Sequence, residues 1–229
     1  FKLQVGVTDQ TKVLTQKPVL VVLWLYLLAR AVRNVRDSIS RSALADELFP
    51  GLDPERQRAR LRDRLSDLQN LPASLVQCIV IEGDRLRFDL TKCDLDVIRL
   101  RDLGAKLKDS SGQADPTLID RGEALVAGLA EGEFLPEWEA FEAKVKGGRS
   151  GSTEVIEQVR VEVARSLADL LISLSDAYIA RRQPERAIPF LERVRRSRPD
   201  NEGAARRLIA AYLETGQPTR AVAVKVELG

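Results

Sequence analysis

The chain has 229 residues, 44% of them apolar and 31% charged, enough to bury a sizeable core and too apolar for global disorder. Its 36 Lys and Arg against 34 Asp and Glu leave a net charge of +2, which excludes a uniformly basic nucleic-acid coat, so any basic surface must be local. Histidine is absent, which removes the commonest metal ligand and the side chain most used as a base near neutral pH.

Phe1, Leu3 and Val5 alternate with Lys2 and Gln4, the period of a strand. Asp9-Gln10 reads as a turn, after which Lys12-Val-Leu14 pairs back. Residues 17–32 form an apolar helix, with Pro18 tolerated in its first turn. The helix is too short to span a bilayer, which needs about 20 apolar residues. A strand-like stretch precedes it where a signal peptide would carry a short basic start. It therefore reads as a core helix with no targeting segment, in a cytoplasmic protein. Ser40 is placed to cap a short helix through Phe49, and Pro50-Gly51 stops it. Asp53 caps a third helix that starts at Pro54 and runs to about Asn70. Leu61, Leu65 and Leu68 fall at i, i+4 and i+7, one buried stripe. At about 100° per residue, Arg56, Ala59, Arg60, Arg62, Asp63 and Ser66 lie on the opposite side. Gln77–Glu82 and Arg85–Leu90 then alternate on either side of Gly83-Asp84, a hairpin signal.

Beyond Thr91 the pattern turns helical. Asp94-Leu-Asp-Val-Ile opens a helix, and further helices are expected near 117–130, 136–146, 154–181, 185–197, 203–214 and 219–228. Gly147–Ser152 is a flexible connector; it lacks Gly-Lys-Ser/Thr and a preceding strand, so it does not read as a phosphate loop. Cys78 and Cys93 form no CxxC and have no histidine to complete a zinc site, so free thiols are expected, a disulfide between them being geometrically possible but unsupported by the sequence, and no metal or cofactor site. Trp24 and Trp138 read as core aromatics. Glu131, Glu133, Glu137 and Glu139 read as partners of helix N-terminal dipoles.

The C-terminal half repeats itself. Ala177-Tyr178 recurs as Ala211-Tyr212, Gln183-Pro184 as Gln217-Pro218, and Arg186-Ala187 as Arg220-Ala221. Each offset is 34 residues, the period of the tetratricopeptide repeat. Leu174 and Leu208 each stand four residues before the Tyr, and Pro199 closes the second helix of the first copy. The Tyr of each first helix is expected to fill the gap left by the small Ala187 or Ala221 of the second. Arg181, Arg182, Arg186, Arg193, Arg195, Arg196 and Arg198 crowd the first copy, as a solvated solenoid face or as a surface for an acidic partner or DNA. Methionine is absent and the chain starts at Phe1, so residues are expected to be missing from the sequence. The second repeat stops near Gly229, where a cut or disordered end is expected.

The segments Ser40-Arg-Ser-Ala-Leu-Ala-Asp-Glu-Leu-Phe-Pro50, the Leu61/Leu65/Leu68 helix and Gly83-Asp-Arg-Leu86 are followed by Cys93-Asp-Leu-Asp96. Gly132-Glu-Phe-Leu135 with Trp138 and the repeats complete the series. In this order they resemble the SARP-like (antibiotic regulatory protein) family of bacterial transcriptional activators. One departure is Leu68-Gln69, where the family often has Leu-Arg; it bears on one expected phosphate or base contact. The resemblance implies a mainly α fold with a small β component. An OmpR-type winged helix-turn-helix would span 1–92, and a bacterial transcriptional activator domain of TPR-like repeats 93–229. It further implies a third helix in the major groove of double-stranded DNA and a second crossing the backbone. Arg56, Arg60, Arg62 and Ser66 then become DNA contacts, Arg41 a phosphate contact, and Arg85 and Arg87 groove or backbone contacts on the wing. The blander reading is a solvated face with Arg60 paired to Asp63 or Asp67. The helical domain would serve dimerisation, as such regulators read repeated half-sites, or would contact RNA polymerase or another protein. The alternative is a TPR-type interaction adaptor without specific DNA binding. No catalytic residue can be named, and no enzyme is expected.

Overall fold

Residues 4–5, 8–9, 18–92, 96–110, 115–129 and 152–227 are described by the computed structural model. Contacts divide the chain into two units, 1–95 with 133–162 and 96–132 with 163–229. The helix expected at 136–146, Trp138, the glutamates around it and the Lys12–Leu14 strand lie outside the described residues.

In the first unit, β1 (Gln4–Val5) pairs antiparallel with β2 (Thr8–Asp9). Asp9, read as part of a turn, instead lies in β2 and pairs with Gln4. Helix α1 (Pro18–Arg33) follows. From Val22 to Leu28 no residue is more than 3% exposed, as expected of a helix that is apolar on every face. Trp24 lies in this core; its indole N–H donates to the Leu75 carbonyl at 3.2 Å and its ring meets Phe88 edge-on at 4.8 Å.

A two-residue strand, β3 (Ile39–Ser40), leads into α2 (Arg41–Leu48), whose first turn is capped by Ser40 Oγ accepting from the Ala43 N–H. Helix α3 (Pro54–Leu68) has the expected Asp53 cap, with Oδ1 accepting from the Arg56 N–H at 3.0 Å, and Pro54 in its first turn. A short helix, α4 (Ala73–Val76), precedes β4 (Ile79–Glu82) and β5 (Arg85–Phe88). The sheet order is β3-β5-β4, antiparallel throughout, with Ile39 opposite Leu86 and Glu82 opposite Arg85. Gly83 opens the two-residue turn at φ +60°, a conformation that costs a residue with a Cβ. Leu86 and Phe88 are buried while Arg85 and Arg87 point to the other face, the alternation read from the sequence. Cys78 is disulfide-bonded, which corrects the expectation of a free thiol; the chain's other cysteine, Cys93, lies outside the described residues.

The second unit is helical: α5 (Asp96–Asp109), α6 (Pro116–Gly128), the part of α7 (Ser152–Ala180) from Val163 on, α8 (Pro184–Ser197), α9 (Glu202–Glu214) and α10 (Pro218–Glu227). Leu174, Tyr178 and Ala187, and their counterparts Leu208, Tyr212 and Ala221, are all 3% exposed or less and belong to one hydrophobic core. Pro199 is exposed and lies just past the end of α8, a helix stop. The 34-residue offset extends to the backbone: Gly216 ends α9 at φ +71° and Arg182 ends α7 at φ +58°. Among the described residues no helix is long and apolar enough to cross a membrane.

Candidate functional site

Helix α3 separates its two sides cleanly. Leu61 and Leu68 are buried, Leu65 is half-buried, and the stripe gains a polar member one turn earlier. Gln57 is 7% exposed, and its Nε2 donates to the Phe49 carbonyl at 3.2 Å, tying the start of α3 to the end of α2. The sequence stripe of leucines did not include this glutamine, because a buried polar side chain has no periodic signature. Opposite it, Arg56, Ala59, Arg60, Arg62, Asp63 and Ser66 are all exposed.

The charges on that face are unevenly used. Arg56 Nε lies 3.2 Å from its own capping residue, Asp53. Asp67, a partner expected for Arg60, is taken by Arg64 at 2.9 Å. Arg60 and Arg62 make no ion pair or side-chain hydrogen bond among the described residues. The pairing of Arg60 with Asp63 or Asp67 that the blander reading foresaw is therefore not formed. What remains is an exposed helix face with two unpaired guanidiniums, each a rigid fork of donors suited to phosphate or guanine.

The other predicted contacts gather at the hairpin. Arg41 is exposed in the first turn of α2, and its backbone N–H donates to the Asp84 carbonyl in the hairpin turn at 2.8 Å. Arg85 is exposed but engaged: Nε donates to Ser38 Oγ and Nη2 to the Ser38 carbonyl, both at 2.8 Å. Arg87 is half-buried between Glu82 at 3.4 Å and Asp89 at 3.9 Å. Asp89 is itself held below the usual carboxylate range, first by the Thr91 hydroxyl that donates to it. The structure thus brings Arg41 and Arg85 to one end of the three-stranded sheet and leaves Arg56, Arg60, Arg62 and Ser66 along α3. Arg85 and Arg87 serve the hairpin's own geometry, a role that strand periodicity does not reveal.

In the second unit the crowded arginines act between helices. Arg186 lies over the Tyr178 ring at 4.3 Å and reaches Glu123 of α6 at 3.2 Å. Tyr178 Oη donates to the same carboxylate. One repeat later, Arg220 lies over Tyr212 at 4.7 Å and reaches Glu192 at 2.8 Å, and Tyr212 Oη donates to Glu192. Burial, reinforced by the neighbouring carboxylate, pushes both tyrosines up to about 12. Arg193 donates to the Val126 and Leu129 carbonyls at the end of α6, and Arg195 to Glu227. Arg186, Arg193 and Arg195 of the crowded set, and Arg220 of the second copy, therefore bind one helix pair to the next. Glu123 escaped the sequence reading because it lies outside the two matched copies. It meets Tyr178 as Glu192 meets Tyr212, so α6 stands where the second helix of a preceding repeat would stand.

The tetratricopeptide repeat model matches residues 164–224, the stretch that holds both Tyr–Ala pairs. No curated protein and no solved structure matches the chain.

Proposed function

We propose that the chain is a DNA-binding transcriptional regulator, an activator of the SARP-like type, that reads the major groove with the exposed face of α3. The observation that carries this reading is the pair Arg60 and Arg62, unpaired and exposed on a helix whose other side is buried. The setting supports it. A strand, the helices α2 and α3, the short α4 and a hairpin follow one another, and the three strands form one antiparallel sheet beside which α2 begins. This order supports the winged helix-turn-helix reading, in which α3 would enter the groove and α2 would cross the backbone. Arg41 is then the phosphate contact. The wing contributes less than its arginines suggest, since Arg85 and Arg87 are already engaged.

In this reading the repeats make protein contacts, with RNA polymerase or another copy of the chain. A homodimer would match repeated half-sites, and the location is the cytoplasm. No step of catalysis is assigned. The repeats also favour a second reading, an interaction adaptor that binds no specific DNA. Selection from a random duplex library separates the two. A regulator enriches a defined motif, and Arg60→Ala relaxes the preference at one position by about 1–3 kcal/mol. Enrichment of no motif by the wild-type chain would leave only the adaptor.

A further inference from the structure

We propose that the α5–α6 hairpin carries a docking groove for an acidic, amphipathic segment of a partner protein. The proposal deepens the protein-contact half of the reading above and rests on it, not on DNA binding. A cavity of about 530 Å³ lies between the two helices. It is built from two i, i+3, i+4, i+7 stripes, one running from Arg99 to Lys106 on α5 and the other from Arg121 to Gly128 on α6. Such paired stripes form the trough that helix-in-groove recognition uses, and the size is that of a site taking a few side chains.

The groove lies on the side of the hairpin that the repeats leave open. Gly122, Glu123 and Val126 of α6 face inward. A Cβ on Gly122 would come within 3.0 Å of Leu174, Glu123 holds Tyr178 and Arg186, and the Val126 carbonyl accepts from Arg193. Arg121 and Leu125 are turned by roughly a third of a turn or more from that inward face. The apolar part of the floor is half-buried Leu125 and the edge of Leu103, which is 5% exposed and otherwise belongs to the core. Around it stand Lys106 and Arg121, with Arg99 and Asp102 further along the rim. Lys106 and Arg121 are exposed and make no ion pair among the described residues. A segment with leucines on one side and glutamates beside them satisfies both the floor and the rim. A basic segment is repelled, and a wholly acidic one leaves the floor uncovered.

The test uses the full chain and two fluorescein-labelled helical peptides. Both carry leucine at i, i+3, i+4 and i+7; one has glutamate and the other lysine at the flanking positions. Anisotropy is expected to show the glutamate peptide binding at least about tenfold tighter than the lysine peptide, and more weakly as salt rises. In Lys106→Glu/Arg121→Glu the preference is expected to disappear or reverse. Lys106→Ala/Arg121→Ala, which keeps two exposed positions neutral, should lose most of it with an unchanged melting curve. Duplex binding should be the same in all variants, which separates this site from α3. Equal binding of the two peptides, or a preference that survives both double variants, would overturn the proposal. So would a change of oligomeric state in sedimentation, which would make the groove an interface between copies, or a matching loss of duplex binding, which would make it a phosphate surface.

Discussion

Tyr212→Phe is the sharpest probe of how the repeats hold together. The ring is 3% exposed and stays in place, so no cavity forms beyond the hydroxyl. What is lost is a hydrogen bond to a charged group, worth about 1.5–3 kcal/mol. Glu192 keeps Arg220 at 2.8 Å, so its carboxylate is not stranded, and the cost should fall at the lower end, about 1.5 kcal/mol. In a unit of about a hundred residues that lowers the melting temperature by roughly 6–12 °C. The pH profile gives a second readout. Tyr212 in the folded chain is pushed up to about 12 from an ordinary 10.0. The raised value contributes stability that is complete below pH 10 and lost as pH climbs from 10 towards 12, because the unfolded phenol ionises first. Urea denaturation at about pH 8 and about pH 11, on either side of the ordinary phenol value, reads both effects. Tyr212→Phe should begin less stable and lose less between the two pH values, since one titrating group is gone. A cost under about 0.5 kcal/mol together with an unchanged alkaline slope would refute the Tyr212–Glu192 bond.

Two further outcomes follow from single backbone and cap features. Arg182 sits at φ +58° where the next repeat has Gly216, so Arg182→Gly should stabilise the second unit by about 1 kcal/mol, seen as a higher urea midpoint. Asp53→Ala removes the side-chain acceptor at the start of α3 and should cost about 1 kcal/mol. It should also weaken duplex binding, because the first turn of α3 carries Arg56; hydrogen exchange at the Arg56 and Gln57 amides reports the fraying directly.

Much of the architecture is legible because it rests on local chemistry. Apolar residues on all sides of α1, Asp53-Pro54, Gly83-Asp84 and the 34-residue offset each fix an element by periodicity, capping or a φ requirement. What escaped the sequence has a physical reason in each case. Strand β3 is two residues long, too short for alternation to register. Gln57 is buried where its amide donates to the Phe49 carbonyl of the preceding helix end, and Cys78 is joined by a bond that spacing alone does not specify. At the site, the exposed arc of α3 follows from its heptad-like leucines, but which arginines on it are free does not. Asp67 lies at i+3 from Arg64 and at i+7 from Arg60, and the nearer pair forms. Arg85 and Arg87 were wing contacts only by what the resemblance implies; their tertiary partners, Ser38, Glu82 and Asp89, show that they brace the hairpin.

The central claim is that the free face of α3 neutralises DNA phosphates and reads bases. Fluorescence anisotropy of a labelled duplex carrying the selected motif, taken across a salt series, tests it directly. The account predicts that log Kobs falls linearly with log salt, by about 0.9 for each phosphate neutralised, with a shallower slope in Arg41→Ala. No binding to any such duplex at low salt, or equal affinity for wild type and Arg60→Ala/Arg62→Ala, would contradict it.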